Sequence, residues 1–297
     1  MPGANAPPIR AHEDADLFRA AVTFTAAQTG FDPRLIEKDY FCSVVLQYLA
    51  AEAPDLVFKG GTCLAKVHAG FYRLSEDLDF TIPTPLDARR ADRSRAVKVP
   101  GAALERLGSS LGVVGISEKL RGANNSTQYV AWLSYTSLLD GHAEPITIEI
   151  GLREPLVEGA FAGSAATLLL DPIAAEPMTP PFALPCLSPR EATAEKARAA
   201  LTRLEPAIRD FYDIDHAVRT GRFDPEDSRL VALVRRKLAI PGTGPVDVSP
   251  ARLELLRGQV ATDLRPVLRP ADFAAFDLDR AFAVATGVAR AVAARAA

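Results

Sequence analysis

The chain has 297 residues, 48% of them apolar, and 34 basic against 37 acidic residues give a formal net charge of −3. These values fit a globular protein with core enough for two domains, and the charge does not indicate a nucleic-acid binder. Without a long apolar stretch or a signal-peptide pattern, the sequence predicts a cytoplasmic protein with no membrane partner. Residues 1 to 10, rich in Pro, Gly and Ala, are predicted to be disordered.

Cysteine and histidine are scarce in this sequence. Cys42, Cys63 and Cys186 are too few and too scattered for a disulfide framework or a zinc site. We interpret Cys42 and Cys63 as small buried residues on helices. The four histidines show no metal-ligand spacing, so a His-based catalytic triad is not expected.

Two helices are predicted before the first strand. The first covers residues 14 to 28, and the second begins where Asp32 supplies an N-cap and Pro33 occupies the first helical position. The adjacent Lys38 and Asp39 lie within the second helix. By residue type alone, these two charges indicate only a polar surface.

The stretch from residue 56 to 82 carries the first candidate site. A short apolar strand is followed by Gly60 and Gly61, and a helix is predicted to begin at Thr62. Glycine lets the backbone approach a ligand closely, and the start of a helix presents free N–H groups and a positive dipole end. We therefore expect an anion here, although a glycine pair by itself is more often an ordinary turn.

An acidic pair follows on the next predicted strand. Asp77 and Asp79 project from one face because side chains alternate along a strand, while Leu78 and Phe80 point into the core. Neighbouring carboxylates repel each other unless a divalent cation such as Mg²⁺ lies between them. Such a pair alone is more often a solvated strand edge, but together with the glycine turn it indicates nucleotidyl transfer. No Walker-type Gly-x-x-x-x-Gly-Lys-[Ser/Thr] sequence is present, which disfavours a P-loop NTPase.

Further strands are predicted downstream of this site. Residues 83 to 99 form a predicted loop or short helix, and strands follow near residues 113–120, 128–137 and 146–150. The isoleucines of the last strand fill one face, so Glu149 lies on the opposite face. It is either a third catalytic carboxylate or an exposed strand residue.

Two basic runs occur in the sequence. Taken alone, each is interpreted as a solvated face, and a contact with a phosphate backbone becomes plausible beside a nucleotidyltransferase site. The first run contains Arg89, Arg90, Arg93, Arg95 and Lys98, and the second contains Arg235, Arg236 and Lys237.

A Pro-rich connection between residues 153 and 189, with a possible strand at 166–170, separates two regions. We place residues 1–170 in an N-terminal domain and residues 171–297 in a C-terminal helical domain. A capping box that starts at Ser188 opens the first of the C-terminal helices.

Several blocks of this sequence resemble a known family. They are Glu37-Lys38-Asp39-Tyr40, Lys59-Gly60-Gly61-Thr62-Cys63-Leu64-Ala65-Lys66, Arg73-Leu74-Ser75-Glu76-Asp77-Leu78-Asp79-Phe80, Lys196 and Arg209-Asp210-Phe211-Tyr212-Asp213. The glycine turn and Asp-x-Asp resemble the DNA polymerase β-like nucleotidyltransferase superfamily. The blocks together resemble the AbiEii/AbiGii toxin family, which includes the MenT nucleotidyltransferase toxins. The resemblance implies an α/β (α+β) fold, with a mixed-sheet polymerase β-like domain followed by a C-terminal helical bundle that closes the nucleotide cleft.

The resemblance also implies roles for individual residues. Asp77 and Asp79 are expected to hold Mg²⁺, and Glu149 completes the catalytic carboxylates. Lys196 is expected to meet the triphosphate, and Asp210 to orient Lys196 or a ribose. The residues expected to bind or support the nucleotide are Lys59, Gly60, Gly61, Thr62, Lys66, Ser75 and Lys38.

The implied reaction transfers an NMP from an NTP to an acceptor and releases pyrophosphate. By resemblance, CTP or GTP is the expected donor and the 3′ end of tRNA the expected acceptor. The protein would then be a toxin of a toxin–antitoxin or abortive-infection (phage-defence) system, blocked by a separately encoded antitoxin. Two alternatives stay open, namely a small-molecule nucleotidyltransferase of the antibiotic-modifying type and a non-catalytic nucleotide-binding module.

Overall fold

Seven strands form one mixed sheet in the computed structural model, which describes residues 7–294. They are β1 Val57–Lys59, β2 Leu78–Thr81, β3 Val114–Ala123, β4 Gln128–Thr136, β5 Ala143–Gly151, β6 Phe161–Ala165 and β7 Phe182–Cys186. Their order across the sheet is β3-β4-β5-β2-β1-β7-β6. β2 runs antiparallel to β1 and parallel to β5, and β1 runs parallel to β7. The strands before and after the glycine turn are therefore interior strands, held by neighbours on both sides.

The chain divides into two compact units, one ending at Leu187 and the other beginning at Ser188. The first unit carries the sheet with its helices, and the described part of the second is helical. These features confirm the predicted fold class. The division lies later than residue 170 because β7 is hydrogen-bonded into the sheet of the first unit.

The first two helices of the first unit begin at side-chain caps. Asp14 accepts a hydrogen bond from the backbone N–H of Leu17, Gly30 ends that helix in a left-handed conformation, and Asp32 caps the next helix. The helices are α1 Ala15–Thr29, α2 Pro33–Glu52, α3 Gly60–Cys63 with a following π-helical turn Leu64–His68, α4 Arg90–Ala96 and α5 Lys98–Leu111.

The core of the first unit lies between α2 and the sheet. Ile36 of α2 and Ile148 of β5 are fully buried, and the rings of Phe58 and Phe80 meet at a centroid distance of 5.5 Å across β1 and β2. Burying one such side chain contributes about 1.5–3 kcal/mol relative to exposure. This packing fixes the two strands that carry the candidate site.

The described part of the second unit consists of helices that enclose buried ion pairs. Its first helix is capped by Ser188, whose hydroxyl accepts a hydrogen bond from the N–H of Glu191 at 3.0 Å. Lys237 is buried and pairs with Glu191 at 2.6 Å and with Glu195 at 3.1 Å. The helices are α6 Pro189–Thr202, α7 Ile208–Arg219, α8 Ser228–Leu238, α9 Pro250–Gln259, α10 Pro270–Ala274 and α11 Leu278–Ala294.

Some sequence predictions differ from the structure. The possible strand at 166–170 is absent apart from an isolated bridge between Leu170 and Pro177, whereas β6 and β7 were not predicted. Disorder was predicted for residues 1 to 10, of which residues 1–6 lie outside the described residues. Among the others, Ile9 is buried and its N–H donates a hydrogen bond to Gln47. Among residues 7–294, no helix has both the length and the apolar character needed to cross a membrane.

Candidate active site

Three charged side chains occupy aligned positions on neighbouring strands. Lys59 at the end of β1 pairs in register with Asp79 of β2, which in turn pairs with Glu149 of β5. Residues that pair directly across a sheet project from the same face. The structure therefore places Glu149 beside Asp79, and the alternation of isoleucines in β5 predicts only which face of the strand carries Glu149.

Asp77 immediately precedes β2 and is fixed through its backbone. The hydroxyl of Thr62, which is buried in α3, donates a hydrogen bond to the carbonyl oxygen of Asp77 over 2.5 Å. This bond joins the start of the short helix to the residue that opens the acidic strand. Thr62 thus acts in the structure as a positioning residue for the acidic pair.

The glycine turn approaches Asp79 so closely that no other residue fits at Gly60. Gly60 has a φ of +77°, and a Cβ at this position would lie 2.0 Å from Asp79 Oδ2 and 2.8 Å from Asp79 Cβ. The positive φ and the missing side chain are both required. The sequence predicted a close approach of this backbone to a bound anion, and the structure shows it made to the carboxylate of Asp79.

Gly61 has a different neighbour, one that the sequence predictions missed. A Cβ on Gly61 would lie 2.3 Å from Arg73 Nη2 and 3.2 Å from Ser75 Oγ. Arg73 is buried, and its Nη1 donates to the carbonyl of Leu74 at 3.0 Å. The turn expected to attract an anion is thus accompanied by a guanidinium and by the predicted Ser75. The only signal in the sequence was the position of Arg73 in the same block as the acidic pair.

The carboxylates of this site are only partly neutralised. Within residues 7–294, no ion pair or hydrogen bond reaches the side chains of Asp77 and Glu149, and both residues are partly exposed. Carboxylate oxygens are the hard ligands that Mg²⁺ prefers, so the donor set fits this ion. The oxygens of Asp77, Asp79 and Glu149 do not all lie within 4.8 Å of one another.

Lys66 was expected to bind nucleotide, but the structure uses its ammonium group elsewhere. Its side chain is fully buried, and Nζ donates to Asp39 Oδ1 at 2.5 Å and to Ser43 Oγ at 2.6 Å. The other oxygen of Asp39 accepts from the N–H of Leu168 at 3.0 Å. Lys66 therefore connects the π-helical turn to α2, and the structure does not bring it to the acidic site.

Lys38 also has a carboxylate partner. Its Nζ lies 2.9 Å from Glu76 Oε2, and the lysine side chain is only 6% exposed. Arg34 approaches the same oxygen at 3.7 Å. Glu76 directly precedes Asp77, so this pair fixes the segment that leads into β2. The contribution of Lys38 to a nucleotide pocket stays a prediction.

In the second unit, Lys196 is enclosed by two aspartates. Its Nζ lies 2.8 Å from Asp210 Oδ1 and 3.0 Å from Asp213 Oδ2. Both carboxylates are almost fully buried, while Lys196 is 13% exposed. The structure thus places Asp210 where it orients Lys196, and Asp213, to which the sequence analysis assigned no role, pairs with the same ammonium group.

The two basic runs have different surroundings. In the first run Arg93 is buried, whereas Arg89, Arg90, Arg95 and Lys98 are exposed. In the second run, Lys237 is buried and forms ion pairs, and Arg235 donates a hydrogen bond to the backbone of α11. Two of the three cations in this run therefore have partners inside the second unit. Only the first run offers a cluster of exposed cations.

The family model for "Nucleotidyl transferase AbiEii toxin, Type IV TA system" matches residues 45–285 of the chain. The chain belongs to the AbiEii family. The match includes the glycine turn, Asp77, Asp79 and Glu149 in the first unit and Lys196 in the second. The family resemblance drawn from the sequence is therefore confirmed.

Two solved structures are similar to this AbiEii protein in fold. JHP933 from Helicobacter pylori is 14% identical, with a TM-score of 0.52, and the match covers 88% of this chain and 93% of that one. MenT4, a nucleotidyltransferase toxin from Mycobacterium tuberculosis, is 21% identical, with a TM-score of 0.50 and coverages of 93% and 98%. No curated protein sequence matches. At these identities the likeness establishes the fold.

Family membership sets the general activity of the protein. As an AbiEii protein it is a nucleotidyltransferase toxin of a type IV toxin–antitoxin system. It therefore uses a nucleotide substrate and is paired with a separate antitoxin.

Proposed function

We propose that this toxin transfers an NMP from an NTP, CTP or GTP, to the 3′ end of tRNA in a Mg²⁺-dependent reaction, and so blocks translation. The observation that carries the proposal is the aligned Lys59, Asp79 and Glu149 next to the glycine turn at Gly60. Anion-binding groups and carboxylates then lie side by side on the three neighbouring strands β1, β2 and β5. Nucleotidyl transfer requires both, because a triphosphate and a metal must be held together.

Asp77 and Asp79 are the residues that would hold Mg²⁺. The ion would polarise the phosphate oxygens and offset the charge that develops on them. The chain contributes the rest, since Lys59, Arg73 and the N–H groups of the glycine turn favour a negatively charged ligand. Ser75 lies beside the same turn, within reach of a bound phosphate.

Glu149 is the candidate general base. It lies beside Asp79, is partly exposed, and within the described residues has no hydrogen-bond partner that would occupy its oxygens. A carboxylate in this position can accept the proton of an attacking hydroxyl. The acceptor is proposed to be tRNA because the family resemblance implies it and the exposed cations of the first basic run favour a phosphate backbone.

The test combines purified protein with Mg²⁺, each labelled NTP in turn, and total tRNA. We expect wild-type protein to label tRNA with one preferred nucleotide, and EDTA to abolish the labelling. Asp79→Asn should fall to background, and Glu149→Gln should lose about 10²- to 10⁴-fold in rate, as expected for a general base. Glu118→Gln is the matched control, because Glu118 is an exposed carboxylate on β3, away from this register.

The other outcomes separate the alternatives. Release of pyrophosphate without label on tRNA would reject the tRNA acceptor and favour a small-molecule acceptor. Binding of NTP without turnover in any mixture, including cell extract, would favour a non-catalytic module. Equal rates for Glu149→Gln and Glu118→Gln would remove Glu149 from the mechanism while leaving the acceptor assignment intact.

A further inference from the structure

Two cysteines and a histidine that are far apart in the sequence meet in the first unit. Cys63 ends α3, His68 ends the π-helical turn that follows it, and Cys186 ends β7. One ligand atom from each residue lies within 4.8 Å of the other two, and Cys186 Sγ lies 4.0 Å from His68 Nε2. Among residues 7–294, this is the only trio of Cys, His, Asp or Glu gathered so closely.

The spacing is close to that of a tetrahedral zinc site. Zn–S bonds of about 2.3 Å and Zn–N bonds of about 2.0 Å place neighbouring ligand atoms about 3.5 to 3.8 Å apart. The 4.0 Å separation between Cys186 and His68 is therefore within about half an ångström of that required. The other two separations are at most 4.8 Å, so side-chain movements of up to about 1 Å suffice to close the site.

The surrounding backbone is shaped around this trio. A Cβ on Gly163 of β6 would lie 2.6 Å from Cys186 Sγ and 2.8 Å from Val67 Cγ1, so the strand next to Cys186 must carry glycine at this point. The π-helical turn places His68 five residues after Cys63, on the same side of the segment as β7. π-Helical turns are frequent at functional sites.

We propose that Cys63, His68 and Cys186 bind one Zn²⁺ ion. Two thiolates and an imidazole are soft and borderline ligands of the kind that zinc selects over Mg²⁺. His68 Nε2 now lies 2.9 Å from the carbonyl of Leu187, and metal binding exchanges this hydrogen bond for coordination. Both cysteines are buried and His68 is half-buried, so the imidazole side is the entry path and water supplies the fourth ligand.

The ion has a structural role in this position. It joins the end of the helix that follows the glycine turn to β7, the strand that pairs with β1. Cys63 is adjacent to Thr62, whose hydroxyl positions Asp77. Zinc thus stabilises the support of the acidic site without touching a substrate. The inference does not depend on the acceptor or on the transfer reaction.

The test measures metal directly in the full-length protein. Wild-type protein purified without chelator should contain an equimolar amount of zinc by mass spectrometry of the metal. After removal of zinc, Co²⁺ should give the thiolate charge-transfer band in the near ultraviolet and the visible bands of tetrahedral coordination. Cys186→Ser and His68→Gln should lose these bands and most of the zinc. Cys42→Ser is the control, since Cys42 is equally buried but lies outside the trio.

The wild-type measurement keeps the proposal falsifiable even if a variant does not fold. Folded wild-type protein that takes up neither Zn²⁺ nor Co²⁺ would overturn it. Titration of only one free thiol per denatured chain would also overturn it, because Cys63 and Cys186 would then form a disulfide. Zinc retained equally by Cys186→Ser and Cys42→Ser would place the ion elsewhere. None of these readouts depends on nucleotidyl transfer.

Discussion

Gly60→Ala is the substitution that tests most directly how the glycine turn and the acidic strand depend on each other. At a φ of +77° an L-residue costs about 1–2 kcal/mol, whatever the space around it. The added Cβ would also lie 2.0 Å from Asp79 Oδ2 and 2.8 Å from both Asp79 Cγ and Asp79 Cβ. The Cβ of Asp79 is fixed to an interior strand, so rotation of the carboxylate alone does not relieve the clash.

Gly70→Ala is a matched control for the energetic cost of placing an L-residue at a positive φ. Gly70 has a φ of +67°, and a Cβ there meets no atom within 4 Å. Both variants should therefore lose about 1–2 kcal/mol of unfolding free energy from the left-handed conformation. Only Gly60→Ala should also displace Asp79. A displacement of about 1 Å at a reacting group costs about 10²-fold in rate, so nucleotidyl transfer should fall by that factor in Gly60→Ala alone.

Two assays separate these effects. Urea denaturation gives the unfolding free energy of each variant, and transfer of labelled nucleotide gives the rate at saturating NTP. The reasoning would be refuted by a Gly60→Ala protein whose rate matches that of Gly70→Ala. It would also be refuted if Gly60→Ala were no less stable than Gly70→Ala, because the clash with Asp79 would then not lower the unfolding free energy.

Three further predictions concern buried charge. Lys66→Met leaves the carboxylate of Asp39 unpaired and should lower the unfolding free energy in urea by about 3–5 kcal/mol, whereas Lys119→Met at an exposed pair should change it by less than about 0.5 kcal/mol. Lys196→Gln should lose both transfer activity and about 3–5 kcal/mol, since buried Asp213 would lose this cation and buried Asp210 would keep only the longer pair with Arg203. Burial, and to a smaller extent the charges of Arg219 and Arg222, lowers the pKa of His216 from 6.5 to about 4. Between pH 6.5 and pH 4, the histidine is therefore protonated in the unfolded chain but neutral in the folded protein. Stability should therefore fall as the pH drops from 6.5 towards 4, by about 1–2 kcal/mol at pH 5 after allowance for partial exposure, and His216→Gln should reduce that loss. The first prediction is contradicted if Lys66→Met and Lys119→Met lose equal stability, and the second if Lys196→Gln keeps wild-type stability and activity. The third is contradicted if wild type and His216→Gln lose stability equally as the pH falls.

The features that sequence reasoning located well are those fixed by local chemistry. The caps at Asp14, Asp32 and Ser188 satisfy backbone groups within a few residues, so the starts of three helices follow from the sequence. The alternation of isoleucines in β5 was enough to place Glu149 on the opposite face of its strand, and the pairing of β5 with β2 makes this the face of Asp79. Local pattern and long-range pairing agree at these positions.

The features that it missed depend on contacts between distant parts of the chain. The sequence predicts Lys66 to be a cation near a phosphate-binding turn. In the structure it pairs instead with Asp39, which lies 27 positions earlier. The scatter of Cys63 and Cys186 argued against a metal site, but the parallel pairing of β7 with β1 brings them together. Neither partner can be read from spacing, because the sheet order that joins them is not a local property.

The distribution of charge around α2 explains why a site with so many carboxylates is stable. Removing a charge from water is costly unless it is paired, and Lys66 and Lys38 satisfy this requirement for Asp39 and Glu76. Both lysines belong to the blocks that resemble the family, yet neither neutralises Asp77. Their pairing stabilises α2 and the segment that leads into β2, so within the described residues the carboxylate of Asp77 is left accessible to a ligand.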